Sequence, residues 1–254
     1  MAEKEDAFFF RRESLPDGEA MTAEEAEQFL LKQLEERNGK CKKTLWQLAR
    51  VYSHMKRHED ALNCIYKLMQ LSDEREENAS FFLALGQLME QMRDFPAAIE
   101  YYRGAFCLKP SRTRVWYLVH NNLGFCLNVL KRYDEAEGYL ESAIKIDPSR
   151  SNAYKNLGLC FMGRGRFVKA IENFVAALRA DASDPRTLGH LEELLADRPE
   201  LFEKIPDLTK ILTDCRRAVR AAHDCQPDFE KHWKELRMRK SQSSGDGHKG
   251  PGDN

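Results

Sequence analysis

Asn122-Leu123-Gly124-Phe125-Cys126 and Asn156-Leu157-Gly158-Leu159-Cys160 are one phrase written twice, 34 residues apart. The register holds beyond the phrase: Tyr133 returns as Phe167, Ala136 as Ala170, Leu140 as Phe174, Ala143 as Ala177 and Ile144 as Leu178. Self-similarity at a fixed period marks a solenoid, in which each unit buries its apolar face only against its neighbours. Such an architecture offers a surface for holding other molecules rather than a pocket for chemistry.

Two earlier units follow the same plan. The first sets Leu45, Leu48, Ala49 and Tyr52 on one helical face and takes Ala61, Ile65 and Leu68 from a second helix. The next uses Phe82, Leu85, Gly86 and Met89, then Phe95, Ala98, Tyr102, Ala105, Phe106 and Pro110. Pro148 closes the third unit, and Ala182 the fourth. Steps from Leu48 to Leu85, Leu123 and Leu157 are 37, 38 and 34 residues, which puts insertions near Glu76–Asn78 and Thr113–Trp116. Lengthened helix starts or loops are expected there. Gly86, Gly124 and Gly158, with Ala98, Ala136 and Ala170, stand where paired helices need close approach, and larger residues would cost about 1–3 kcal/mol each.

The order of a bulky residue, Leu-Gly, aromatic, Ala, aromatic, Ala and Pro resembles the tetratricopeptide repeat family over residues 42–184. The resemblance implies antiparallel helix pairs, at 42–75, 79–112, 117–150 and 151–184, stacked into a right-handed superhelical solenoid with a concave groove. His58 stands where the family prefers an aromatic, so the first repeat departs most. The expected fold class is all-α, since no strand-like alternation appears.

Flanking segments complete the expected organisation. Residues 1–20 read as an irregular arm with a Leu15-Pro16-Asp17-Gly18 turn. A helix within 21–41 opens on the Thr22/Glu25 capping box and ends at Asn38-Gly39. Asp184-Pro185 opens a helix over Arg186–Ala196, Pro199 and Pro206 interrupt its partner, and Pro227 leads a helix carrying Phe229, Trp233 and Leu236. Residues 185–240 are expected to cap the last repeat, and 241–254 form a Gly/Ser-rich disordered tail.

Composition narrows the function. No apolar stretch approaches the ~18 residues of a spanning helix, and the acidic start lacks a secretory n-region. Seven cysteines without framework spacing fit reduced thiols in the cytoplasm. A net charge of −1 argues against bulk binding to nucleic acid or anionic lipid. Residues 1–37 nevertheless carry five Lys/Arg against eleven Asp/Glu, and residues 216–240 eight against four.

Groove positions follow from the core stripe of each first helix at about 100° per residue. They are Lys43, Trp46, Arg50 and Ser53; Ser80, Leu83, Gln87 and Glu90; Leu118, Asn121, Phe125 and Asn128; and Asn152, Lys155, Leu159 and Met162. All are expected to be wet, and Trp46, Leu83, Leu118, Phe125, Leu159 and Met162 would give an apolar patch of the kind that marks a binding site. Arg50, Asn121 and Lys155 would orient a peptide or amphipathic helix there. The carboxylate clamp of chaperone-binding family members is not expected: Asn122 and Asn156 precede their Leu-Gly steps, but Leu83 and Gln87 replace its Lys and Asn, and Asn152 and Asn156 its two cations.

Catalytic and metal signals are thin. Cys126 and Cys160 recur at the repeat period as packing residues. His54 and His58 enclose Lys56 and Arg57, which disfavour a cation. Cys215, His223, Cys225 and His232 lack zinc-ligand spacing, and Gly163-Arg164-Gly165-Arg166 lacks the Lys-Ser/Thr of a phosphate loop. The expectation is a non-enzymatic protein-binding scaffold or chaperone-like adaptor, without cofactor, metal, nucleic acid or membrane insertion. The alternative is a self-assembling, homo-oligomeric subunit whose groove holds its own or a neighbour's segment, either Ala7–Phe10 or the helix with Phe229 and Trp233.

Overall fold

The computed structural model describes residues 10–11 and 20–224 of the chain. The chain divides into two compact units on either side of Ser149–Arg150. The disordered tail and the Pro227 helix expected from the sequence lie outside the described residues.

The first unit opens with a two-residue antiparallel pairing that the sequence did not announce. β1 (Phe10–Arg11) pairs with β2 (Ala20–Met21), Phe10 facing Met21. Helix α1 (Ala23–Glu36) follows, and its capping box forms: Thr22 Oγ1 accepts from Glu25 N–H at 3.2 Å, and Glu25 Oε2 accepts from Thr22 N–H at 2.9 Å. Three helix pairs then run α2 (Lys42–His54) with α3 (His58–Gln70), α4 (Arg75–Gln91) with α5 (Phe95–Cys107), and α6 (Thr113–Val129) with α7 (Tyr133–Ile146). Each pair packs within itself, and α1 on α2, α3 on α4 and α5 on α6 join them in a row.

In the second unit, α8 (Ser151–Gly163) pairs with α9 (Phe167–Ala180). Then come α10 (Pro185–Asp197), the single turn α11 (Leu201–Lys204) and α12 (Leu208–Asp224). Pro199 and Pro206 fall in the breaks around α11, so the helical partner of α10 is displaced to α12 rather than lost. That helix packs on α9 and α10 and turns Leu208, Leu212, Cys215 and Val219 inward.

The repeated core is built from small residues receiving large ones. Ala61, Ala98, Ala136 and Ala170 are wholly buried. A Cβ placed on Gly158 would lie 2.6 Å from the Phe174 ring, and one on Gly86 or Gly124 would meet Tyr102 or Leu140 just as hard. What the glycines admit is therefore a side chain from the partner helix of the same repeat.

The first helix of each pair ends alike. Lys56, Arg93, Lys131 and Gly165 have φ of 58°, 62°, 59° and 70°. The next amide in each case donates to a carbonyl five residues back: Arg57 N to Tyr52 O at 2.9 Å, and Arg166 N to Phe161 O at 2.8 Å. This left-handed turn satisfies orphan carbonyls and reverses the chain. Only the fourth copy uses glycine.

The insertions are one extra helical turn each. α4 and α6 have 17 residues where α2 and α8 have 13. The added turn of α4 is tied down: Glu77 pairs with Lys42 at 2.7 Å and accepts from Ser72, while Glu76 Oε1 accepts from Ser111 N at 2.6 Å. Both carboxyls are held below the usual range, Glu77 chiefly by the Lys42 hydrogen bond and Glu76 by the Ser111 amide.

Candidate partner-binding groove

In the first unit, α2, α4 and the start of α6 enclose a concavity of about 1090 Å³. α2 contributes Trp46, Arg50 and Ser53, α4 contributes Ser80, Leu83 and Gln87, and α6 contributes Leu118. These are expected groove residues, and the fold brings them together. Trp46 is fixed by the Phe81 ring, whose centroid lies 5.6 Å away. Ser53 Oγ donates to Gln91 Oε1 at 3.0 Å, and Ser80 Oγ to the Glu76 carbonyl at 3.1 Å.

Other expected positions fall elsewhere. Lys43 is exposed on α2 but does not line the concavity. Leu83 lines it, yet is only 7% exposed, because α4 also packs on α3, α5 and α6. It is floor rather than wet surface. Asn121 is buried too, and its amide donates to Asn122 Oδ1 at 3.0 Å. Phe125 meets Phe95 edge-on at 6.2 Å, and Asn128 is half-buried; neither lines the concavity.

Glu90, also expected to be wet, belongs to a buried chain of hydrogen bonds. Asn122 Nδ2 donates to the Tyr102 hydroxyl at 3.2 Å, and that hydroxyl donates to Glu90 Oε2 at 2.6 Å. Cys126 Sγ donates to Glu90 Oε1 at 3.5 Å. Burial pushes the Glu90 carboxyl up, against the downward pull of Tyr102 and Cys126. Burial, with the Glu90 charge, pushes the Tyr102 phenol and Cys126 thiol well above their ordinary values. The network consumes these groups internally.

The fourth-repeat positions sit in the second unit. Asn152 is exposed, and Leu159 and Met162 are half-buried. Lys155 is spoken for: its Nζ lies 2.7 Å from Asp184 Oδ2, with the two side chains 12% and 14% exposed. Asp184 also caps α10 through the Arg186 amide at 3.1 Å. Burial would raise its carboxyl, but hydrogen bonds from Arg186 and Lys155 outweigh burial and hold it far below the usual range.

Among the lining residues that sequence reasoning missed are His54, Lys56, His58, Arg114 and Val115. The first three lie at the α2–α3 turn, beyond the reach of a helical wheel. Arg114 and Val115 arrive on the extra turn of α6, so the insertion at Thr113–Trp116 was their signal. No helix among the described residues is long and apolar enough to cross a membrane.

Comparison with known proteins places these features. The tetratricopeptide repeat model matches residues 117–150, the stretch holding Leu123-Gly124. The tetratricopeptide repeat-containing protein trd-1 of Caenorhabditis elegans is 24% identical over 153 residues, covering 60% of this chain. The chain spans only 19% of the length of that relative. Among solved structures, MamA from Desulfovibrio magneticus RS-1 superposes with a TM-score of 0.55 at 19% identity, over 73% of this chain and 96% of the other. YrrB, described as a TPR protein with an unusual peptide-binding site, does so with a TM-score of 0.52 at 21% identity, over 67% and 84%. At such identities the likeness speaks for the fold alone. Proteins built on this repeat generally mediate protein–protein interactions. The match gives the chain a tetratricopeptide repeat at residues 117–150, and its repeated helix pairs and recurring Leu-Gly corners share the all-α solenoid fold of solved tetratricopeptide repeat proteins.

Proposed function

We propose that this protein is a non-enzymatic scaffold or adaptor that holds a peptide or amphipathic helix of a partner protein in the concavity between α2, α4 and α6. One observation carries the reading: Trp46, Arg50, Gln87 and Leu118, from three separate helices, converge on one open space of about 1090 Å³. The wall offers an aromatic anchor, an apolar floor at Leu83 and a side-chain amide able to pair with a peptide backbone. Because the helices are packed beforehand, little ordering cost falls on the protein side. Arg50 remains as an orienting group, whereas Asn121 and Lys155 already serve internal contacts.

The test is capture by the full chain and by Trp46→Glu, with thermal melting in parallel. Loss of capture with a melting temperature near the parent value supports the reading. Unchanged capture removes it. A mass that rises with concentration in light scattering, abolished by Trp46→Glu, would assign the groove to a neighbouring copy instead.

A further inference from the structure

Charge around the concavity is one-sided. Arg50, Lys56 and Arg114 line it, and no Asp or Glu does so among the described residues. The cause lies in the helices themselves. α2 and α6 contain no acidic residue, and α4 contains Glu76, Glu77 and Glu90. Each of these three is engaged elsewhere: Glu76 by the Ser111 amide, Glu77 by Lys42 and Glu90 by Tyr102. Arg50, Lys56 and Arg114 form no ion pair with any described residue. Anions are thus withdrawn into structural pairs while cations stay available around an apolar floor. A concave, low-dielectric wall of one sign focuses its field on whatever enters.

On the groove-binding reading above, we infer that the occupant is an acidic segment of a partner protein whose carboxylates flank aromatic or aliphatic anchors. The guanidinium groups of Arg50 and Arg114 suit bidentate pairing with carboxylates, and Trp46, Leu83 and Leu118 take the apolar side chains. A basic segment would meet like charge on every side and find no counter-ion. The chain's own start, with Glu3, Glu5 and Asp6 ahead of Phe8-Phe9-Phe10, has the same chemistry and is the competing occupant.

The experiment is selection from a random-peptide display library on the full chain, on Trp46→Glu, on an Arg50→Glu/Arg114→Glu double variant, and on the chain lacking residues 1–9. Expected are enriched peptides with net negative charge and aromatic or aliphatic residues. Their affinity should fall about tenfold or more on the charge-reversed variant and weaken as salt rises. Uncharged or basic peptides that depend on Trp46 would overturn the acidic preference and leave groove binding standing. No enrichment, or enrichment indifferent to every groove substitution, would remove groove binding as well. Acidic peptides that bind only after removal of residues 1–9 would overturn the partner claim and assign the groove to the chain's own arm.

Discussion

The Phe174 ring occupies the space that a side chain on Gly158 would need, since a Cβ there would lie 2.6 Å from ring carbon Cδ1. Phe174 is itself fully buried and cannot swing into solvent without opening the α8–α9 pair. Gly158→Leu should therefore destabilise the protein by about 1–3 kcal/mol or more, as overpacked cores do. Denaturant melts check this. A variant as stable as the parent would mean that the two helices separate freely.

The left-handed turns ending the first helices predict a gain. Lys131 sits at φ 59° without the freedom that Gly165 has in the fourth copy. Lys131→Gly should stabilise by about 0.5–1 kcal/mol, the left-handed cost relieved less the entropy glycine loses on folding. A melting temperature that falls would show the lysine side chain contributing more than its backbone costs.

Asp184 predicts an acid limb. Its carboxyl is depressed in the folded chain, so its stabilisation is complete above the unfolded value of about 3.9 and is lost as pH falls toward the folded one. Asp184→Asn should cost about 1–3 kcal/mol at neutral pH, because Lys155 is left without its anion, and should flatten the loss of stability below about pH 4. Urea melts across that range decide it. Parallel curves for the two proteins would contradict the pairing.

Glu90 predicts the opposite slope. Burial raises its carboxyl, so the folded chain holds that proton more tightly than the unfolded one. Its contribution is most favourable below the ordinary glutamate range and weakens as pH rises through the raised folded value. Glu90→Gln keeps an acceptor for the Tyr102 hydroxyl and should remove this slope. If the slope persists in the variant, another group carries it.

Most of the fold was legible because one device repeats. The Leu-Gly corner, the alanine one turn into the next helix and the large residue that fills the glycine's space recur at a spacing that points to paired helices. The extra turns were legible as insertions, but their effect was not, since Glu77 finds Lys42 only across 35 residues of chain. The two-residue pairing of β1 and β2 is too short to show alternation. At the concavity, a helical wheel puts Trp46, Arg50, Gln87 and Leu118 on the face that lines it. It puts Leu83, Asn121 and Glu90 on wet surface where the fold buries them, because it assumes one buried face, whereas α4 and α6 pack on several neighbours. The one-sided charge was invisible from composition, because it depends on which carboxylates are already paired.

The most direct measurement is hydrogen–deuterium exchange of the full chain with and without a saturating peptide from the display selection. Groove binding predicts added protection over the middle of α2, over Ser80–Gln91 and over the first turns of α6, with α12 unchanged. Protection confined to α12 or to α5 and α7, with α2 and α4 unmoved, would contradict it.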